Sequence, residues 1–282
     1  MKLVTWNIQW GLGCDGRVDL ARIVETAQSL SDADVFCFQE ISRGFPDQDG
    51  GEDQPAILAD LLPGYMPIFR PATEMTDAEG NLQIFGNMIL SRLPVLQITS
   101  HMLPWPATEC RSMQRQALEA VVRTSFGPVR VVTTHLEFHS VEQRSAQIER
   151  LRRIHEESTR RSKLSFTEDS AGPYRTRSRP LGTILCGDFN LEPHDDLYAE
   201  IIKPIAPGIP GFADAWTAYH GNIPHAPTAG IADAERWPQG PHCRDYIFVT
   251  DNLAGRIAGV QVDVETTASD HQPIALELSD GL

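Results

Sequence analysis

Apolar and polar positions along this chain switch repeatedly between a strand period and a helical one. Leu3 to Gln9 is an apolar run with strand character, closed by Trp10-Gly11-Leu12-Gly13. Asp19 to Leu30 places Leu20, Ile23, Val24 and Ala27 at helical spacing, and Asp34 to Glu40 is again a strand, stopping on a carboxylate. This strand–helix–strand opening predicts α/β construction. Ser42 to Gln54, rich in Gly and Asp, reads as a surface loop. Ala56 to Leu62 is a short helix stopped by Pro63-Gly64, and Pro71 to Leu82 reads as a polar, mobile loop. Gly86 to Ser91 is a buried strand with a break at Pro94, and Met102 to Met113, with Pro104 and Pro106, is loop. Gln116 to Thr124 and Val129 to Phe138 flank Gly127-Pro128 and predict a hairpin.

Val141 to Arg161 is the longest helical segment, striped by Ile148, Leu151 and Ile154, and Glu168 to Pro180 is a loop dense in Arg. A short apolar strand, Ile184-Leu185-Cys186, then ends in Gly187-Asp188-Phe189-Asn190. Gly187 removes a side chain where a backbone or ligand must come close. Residues two apart in an extended chain share a face, so Asp188 and Asn190 are expected to point into one pocket. Pro193 to Ile202 is helical, Pro207 to Gly240 is a proline-rich loop carrying Trp216 and Trp237, and Arg244 to Val249, Ile257 to Val264 and Ile274 to Leu278 are closing strands. With no repeat, linker or composition break, a single domain over residues 1–282 is expected.

Composition narrows the classes. At 41% hydrophobic and 22% charged residues the chain can bury a sizeable core, and it has no apolar run of membrane-spanning length. The N-terminus lacks signal-peptide architecture, so a cytoplasmic protein without a membrane anchor is expected, as a monomer. The five cysteines form no CxxC pair, and Cys37 and Cys186, inside apolar runs, read as reduced core residues. The excess of 38 Asp+Glu over 24 Lys+Arg, a net charge of −14, argues against broad adhesion to nucleic acid or anionic membrane. One basic zone stands against it, from Arg144 through Arg175, Arg177 and Arg179. It reads first as a solvated helix face paired with Glu142, Glu149, Glu156 and Glu157, and second as a phosphate-facing patch.

Several strands share one design: an apolar run that stops at a polar residue able to bind a metal or move a proton. Asn7, Glu40, His135, Asp188 with Asn190, Asp245, and Asp270 with His271 all occupy such positions. Functional groups of α/β proteins gather where strand ends meet loops. Carboxylate and amide oxygens are what hard Mg²⁺ prefers, and histidines beside carboxylates titrate near neutrality. No Ser or Cys nucleophile in a glycine elbow accompanies them, which points to direct attack by activated water on phosphorus.

In order, TWNIQWG with Asn7, DVFCFQEI with Glu40, GNMILSRLPV, TTHLE with His135, GDFN at 187–190, RDYIFV at 244–249 and SDHQPI at 269–274 resemble the motif series of the endonuclease/exonuclease/phosphatase family, the deoxyribonuclease-I-like Mg²⁺-dependent phosphoesterases. The resemblance runs from residue 3 to about residue 278. It implies a four-layer α/β/β/α sandwich of two mixed sheets flanked by helices, with the site at one edge. It also implies roles: Glu40 as principal metal ligand with Asn7 and Asp270 close by; Asp188 and Asn190 orienting water and phosphate; His271 as base or phosphate-binding group, oriented by Asp245; and His135 donating to a phosphate oxygen or helping the leaving group. Mg²⁺ is the implied cofactor, with Mn²⁺ as substitute. The implied activity is a phosphodiesterase or nuclease that hydrolyses a P–O bond by in-line attack of water, on a phosphate ester that could be nucleic acid or nucleotide.

Two departures stand out. The family's basic residue two before the RDYIFV-type aspartate is replaced by an Arg244 directly adjacent to Asp245, and the loop Ser42 to Gln54 matches no family motif. Three other readings compete. They are a phosphatase for a small metabolite, inositol phosphate or lipid headgroup; a zinc hydrolase built on His135 and His139; and a binding module that keeps the fold without catalysis. Asp245 as an ion-pair partner of Arg244 is the plain alternative to the His271 pairing.

Overall fold

The computed structural model describes residues 1–164, 172, 179–234 and 236–281. Its strands are β1 (Lys2–Asn7), β2 (Val35–Arg43), β3 (Met66–Thr76), β4 (Leu82–Ser91), β5 (Val95–Met102), β6 (Gln116–Thr124), β7 (Gly127–His135), β8 (Thr183–Asp188), β9 (Phe212–Asp214), β10 (Asp245–Thr250), β11 (Ile257–Val262) and β12 (Ile274–Leu278). Helices α1 (Leu20–Leu30), α2 (Pro46–Asp49), α3 (Gln54–Leu61), α4 (Val141–Ser162), α5 (Asp196–Ile202), α6 (Ala215–His220) and α7 (Asp251–Ala254) connect them, with a 3₁₀ turn at Gln9–Gly11. Two six-stranded sheets result, in the orders β11-β12-β1-β2-β4-β3 and β5-β6-β7-β8-β10-β9. Both are mixed: β1 runs parallel to β2 and β7 parallel to β8, while their other neighbours are antiparallel.

The alternation of side chains along each strand builds the layers. Leu3, Val35, Cys37, Ile89, Leu118, Val131, Ile184 and Ile247 meet between the sheets. On the outer face of the first sheet Val4, Trp6, Phe36 and Phe38 pack with Leu20, Ile23, Val24 and Leu58 of α1 and α3. On the outer face of the second, Val132, Leu185 and Phe248 pack with Ile148, Leu151 and Ile154 of α4 and Ile201 of α5. Central strands buried on both faces read as continuous apolar runs, which is why they were legible. The architecture is the four-layer α/β/β/α sandwich. Among the described residues no helix is long and apolar enough to cross a membrane.

The predicted loops needed correction in three places. Pro71 to Leu82 is largely a β-hairpin: β3 pairs only with β4, so its polar side chains face water at a sheet edge, and Pro71 sits beside a register shift on this edge strand, where proline is tolerated. Pro207 to Gly240 contains β9 and α6, the latter capped by the Asp214 side chain. Ser42 to Gln54 begins as the end of β2 and carries α2, and its Asp49 is buried. β5, another edge strand, has no counterpart among the predicted elements. The Arg-rich loop from Glu168 to Pro180 lies almost wholly outside the described residues, including Arg175 and Arg177.

The basic helix is explained largely by pairing. Arg150 meets Glu157 at 2.8 Å, Arg160 meets Glu156 at 2.7 Å, and Arg153 pairs with Glu149. Arg144 donates to the Glu137 and Phe138 carbonyls, and Arg152 to the Ile201 and Lys203 carbonyls at the end of α5. Arg130, fully buried under α4, donates to His155 Nδ1 at 2.7 Å, while His155 Nε2 donates to the Pro210 carbonyl at 2.9 Å. Burial and the Arg130 charge push the His155 imidazole down to about 4. The unfolded chain therefore takes up a proton near pH 6.5 that the folded chain refuses. Stability from this group is full above pH 6.5 and is lost as pH falls toward 4. His155→Gln, which keeps an acceptor and a donor, should flatten that decline by up to about 3 kcal/mol. Denaturant unfolding from pH 4 to 7 reads the difference, and parallel curves would contradict it.

Candidate active site

Strand geometry brings the predicted residues to one edge of the sandwich. Asn7, His135 and Asp188 end β1, β7 and β8, and Asp245 opens β10 opposite Asp188 in the antiparallel register. Asp270 and His271 lie just before the last strand, separated from it by Gln272 and Pro273. Glu40 sits within β2 at a register shift between Phe38 and Ile41, with φ of +61°. This is a left-handed backbone at a residue with a side chain, a strain that turns the carboxylate out of the ladder. Gly187, with φ of +131°, allows β8 to close on β7: a Cβ there would lie 2.0 Å from the Thr134 carbonyl oxygen.

Glu40, His135, Asp188, Asn190, Asp270 and His271 line one cleft of about 600 Å³. Asn7 lies behind them, donating from Nδ2 to Glu40 at 2.9 Å and Asp188 at 3.0 Å, while its Oδ1 accepts from the Gln9 N–H. Asn7 thus meets the carboxylates as a donor, and ligation through Oδ1 would require release of Gln9. Asn190 takes a left-handed backbone, φ +51°, so it does not simply continue the strand alternation. Its N–H donates to Asp188 Oδ1 at 2.8 Å and its Nδ2 to the Leu136 carbonyl at 2.9 Å, which leaves Oδ1 for a ligand.

His271 Nδ1 is 2.8 Å from Asp245 Oδ2, and its Nε2 is 3.8 Å from Asp188 Oδ2. Arg244 does not pair with Asp245: it donates to His242 at 2.6 Å and lies over the rings of Phe138 and Trp237. Burial opposes a charged imidazole, but Asp245 and Asp188 hold His271 well above its ordinary value. Burial, reinforced by Asp188, pushes Asp245 up to about 6 despite the pull of His271. Burial likewise opposes the Asp188 charge, yet the two histidines, the Asn7 amide and the Asn190 N–H keep it below the usual carboxylate range. His135 is pushed down to about 3 by burial and by Arg115, so it is neutral near pH 7; its Nε2 is 3.4 Å from Asp188 and its Nδ1 3.8 Å from Glu40.

Asp188, Asp245 and His271 converge with their ligand atoms within 4.8 Å of one another. The His271–Asp245 hydrogen bond already uses the facing atoms, however, so this arrangement suits sharing a proton better than holding a cation. The fit to a hard cation lies at Glu40. Burial and the negative charges of Asp270 and Asp188 push its carboxyl up to about 7, against the opposing pull of Asn7 and His271, the mark of crowded carboxylate oxygens. Among the described residues no further His/Cys/Asp/Glu cluster gathers around His139, which removes the basis for a zinc site.

The Endonuclease/Exonuclease/phosphatase family model matches residues 4–271. The chain belongs to that family. Among solved structures it resembles an endonuclease/exonuclease/phosphatase from Beutenbergia cavernae (23% identity, 99% of this chain and 72% of that one, TM-score 0.68). It also resembles the human Nocturnin catalytic domain with bound sulfate (20%, 99% and 93%, 0.65) and a Neisseria 3′ phosphatase bound to a product DNA hairpin (18%, 99% and 99%, 0.61). At these identities the structures show a shared fold. No curated protein matches the sequence significantly.

Within this family member, several residues near the chemistry escaped sequence reasoning. Thr228 donates to Asp245 Oδ2 at 2.7 Å and accepts from the Asp245 N–H at 3.0 Å. Ser269 donates to the Asn7 carbonyl at 2.8 Å and accepts from the His271 N–H at 3.2 Å, while Trp6 Nε1 holds the His271 carbonyl at 2.8 Å. Trp237 Nε1 approaches Asp270 at 3.4 Å, and Arg236 lies 3.7 Å from the same carboxylate. Trp6, inside the TWNIQWG motif, and Ser269, inside the SDHQPI motif, carried a signal; a lone Thr or Trp in a proline-rich stretch does not.

Proposed function

We propose that this chain is a divalent-metal-dependent phosphodiesterase that hydrolyses a P–O bond by in-line attack of water, with nucleotide or nucleic-acid diesters as candidate substrates. The observation that carries the reading is the pairing of an ionised Asp188 with a His271 imidazolium braced by Asp245, both beside Glu40 in one cleft.

Glu40, with Asp270 nearby, would hold Mg²⁺ or Mn²⁺, which when bound supplies charge neutralisation at a phosphate oxygen and at the leaving oxygen. Asp188, ionised, is the group suited to take the proton of the attacking water. His271, already protonated, is suited to donate to a phosphate oxygen, so the two groups divide the base and donor roles between them. Neutral His135 donates toward the phosphate or the leaving group, and Asn190 fixes the water through Asp188. Asn7 holds Glu40 and Asp188 together against their repulsion.

A panel with Mg²⁺ or Mn²⁺ tests this reading: bis(p-nitrophenyl) phosphate, p-nitrophenyl phosphate, and single-stranded DNA and RNA oligonucleotides. Diester turnover at least ~10-fold above monoester turnover is expected, about 1.4 kcal/mol of discrimination. Turnover of monoesters alone would replace the proposal with a phosphatase. Absence of turnover on every substrate would leave a binding module.

A further inference from the structure

The cleft holding Asp188 and His271 continues beyond them. Trp10, Phe45, Gln48 and Arg236 line it, and the same four line a second groove of about 620 Å³ that runs on past Leu12 and Val18. Trp10, Phe45 and Gln48 have no part in the chemistry proposed above.

The two aromatic residues are anchored in an unusual way. Gln9 and Trp10 take left-handed backbones, with φ of +46° and +43°. Non-glycine residues persist there only when their surroundings over-determine them. Gln54, fully buried, supplies that constraint: its Nε2 donates to the Trp10 carbonyl at 2.7 Å and its Oε1 accepts from the Ser42 N–H at 3.1 Å. Asp49, also buried, accepts from the Phe45 N–H at 3.0 Å, the Gly51 N–H at 2.7 Å and the Ser42 hydroxyl. Two buried polar side chains thus tie Trp10 and the loop carrying Phe45 to the strand that presents Glu40. Both rings stay half-exposed and open to the cleft. Their hydrogen-bonded supports rigidify a surface that has no packing need for them. Aromatic faces with a guanidinium alongside favour a flat π-system, and the junction of the two grooves sets it next to the phosphate site.

We propose that Trp10 and Phe45 form a subsite for a planar aromatic ring, of the size of a nucleobase, carried by the phosphate through its second ester. The proposal rests on the phosphate-ester reading above and specifies what that ester carries. Gln54 and Asp49 are positioning residues for it.

Binding of diphenyl phosphate and dimethyl phosphate, two diesters with poor leaving groups, tests the subsite by calorimetry in Mg²⁺. The wild-type chain is expected to bind the diphenyl ester at least ~10-fold more tightly, since a stacked ring adds an affinity of that order. Trp10→Leu and Phe45→Leu should each cut that ratio ~5-fold or more, and Phe45→Tyr, which keeps the ring, should retain it. Melting curves confirm that the variants fold. A ratio unchanged in both Leu variants overturns the inference even if bis(p-nitrophenyl) phosphate is hydrolysed. A ratio that falls as expected, in a chain that cleaves no diester, supports the subsite and rejects the catalytic reading instead.

Discussion

Asp245→Asn and His271→Ala are each expected to cut diester turnover by roughly 10²–10⁴-fold, and the double variant should cost little more than the worse single change. The two residues share a 2.8 Å hydrogen bond, and among the described residues Asp245 pairs with no second cation, Arg244 being engaged with His242 and two aromatic rings. Removing either partner leaves the other without its function: a carboxylate with nothing to orient, or an imidazole without the charge that keeps it protonated. The pH profile adds a second readout. In the proposed mechanism activity needs Asp188 ionised, which its depressed pKa secures down to acidic pH, and His271 protonated, which its raised pKa secures until well above neutrality. In Asp245→Asn the alkaline limb should therefore move to lower pH. Losses that multiply in the double variant, or an unmoved alkaline limb, would show that the residues act separately.

Chelation is expected to abolish turnover, and Mg²⁺ or Mn²⁺ to restore it, with Glu40→Gln shifting the metal requirement upward so that high Mg²⁺ partly rescues it. The reason lies in the Glu40 carboxyl, raised to about 7 by burial and by the charges of Asp270 and Asp188. A cation bound there displaces a proton, so affinity for it should fall as pH drops below about 7. The sign carries over to stability. A carboxyl with a raised folded pKa contributes fully below its unfolded value of 4.5 and loses that contribution as pH rises through about 7. Bound metal offsets this loss, so Mg²⁺ should raise the melting temperature more at pH 8 than at pH 6. Equal gains at both pH values, or a Glu40→Gln variant with wild-type metal dependence, would remove Glu40 from the metal-holding role.

The eight candidate site residues were legible because chemistry-bearing types ended apolar runs. A strand buried on both faces announces itself, and a carboxylate, amide or imidazole at its end is conspicuous. Gly187 was legible for the same reason, and the approach it permits is the one between Thr134 and β8. The edge elements were not. β3 and β5 carry polar side chains because only one side of each strand is paired, and β9 spans three residues, too few for a period to show. Buried polar groups were hidden for a different reason. Asp49, Gln54, Thr228 and Arg130 are types usually found at the surface, and their burial depends on partners distant in sequence, such as Trp10 for Gln54 and His155 for Arg130. The backbone strain at Trp10 and Glu40 leaves no trace in residue type, whereas Asn190 is of a type that tolerates the left-handed region.

The central claim, that this cleft directs water onto phosphorus with the help of a divalent cation, is tested most directly by running diester hydrolysis in ¹⁸O-water with Mg²⁺ and analysing both products by mass spectrometry. One ¹⁸O in the phosphoryl product, none in the released alcohol, and no turnover after chelation are the predicted results. Label in the alcohol, or undiminished turnover without metal, would contradict the account.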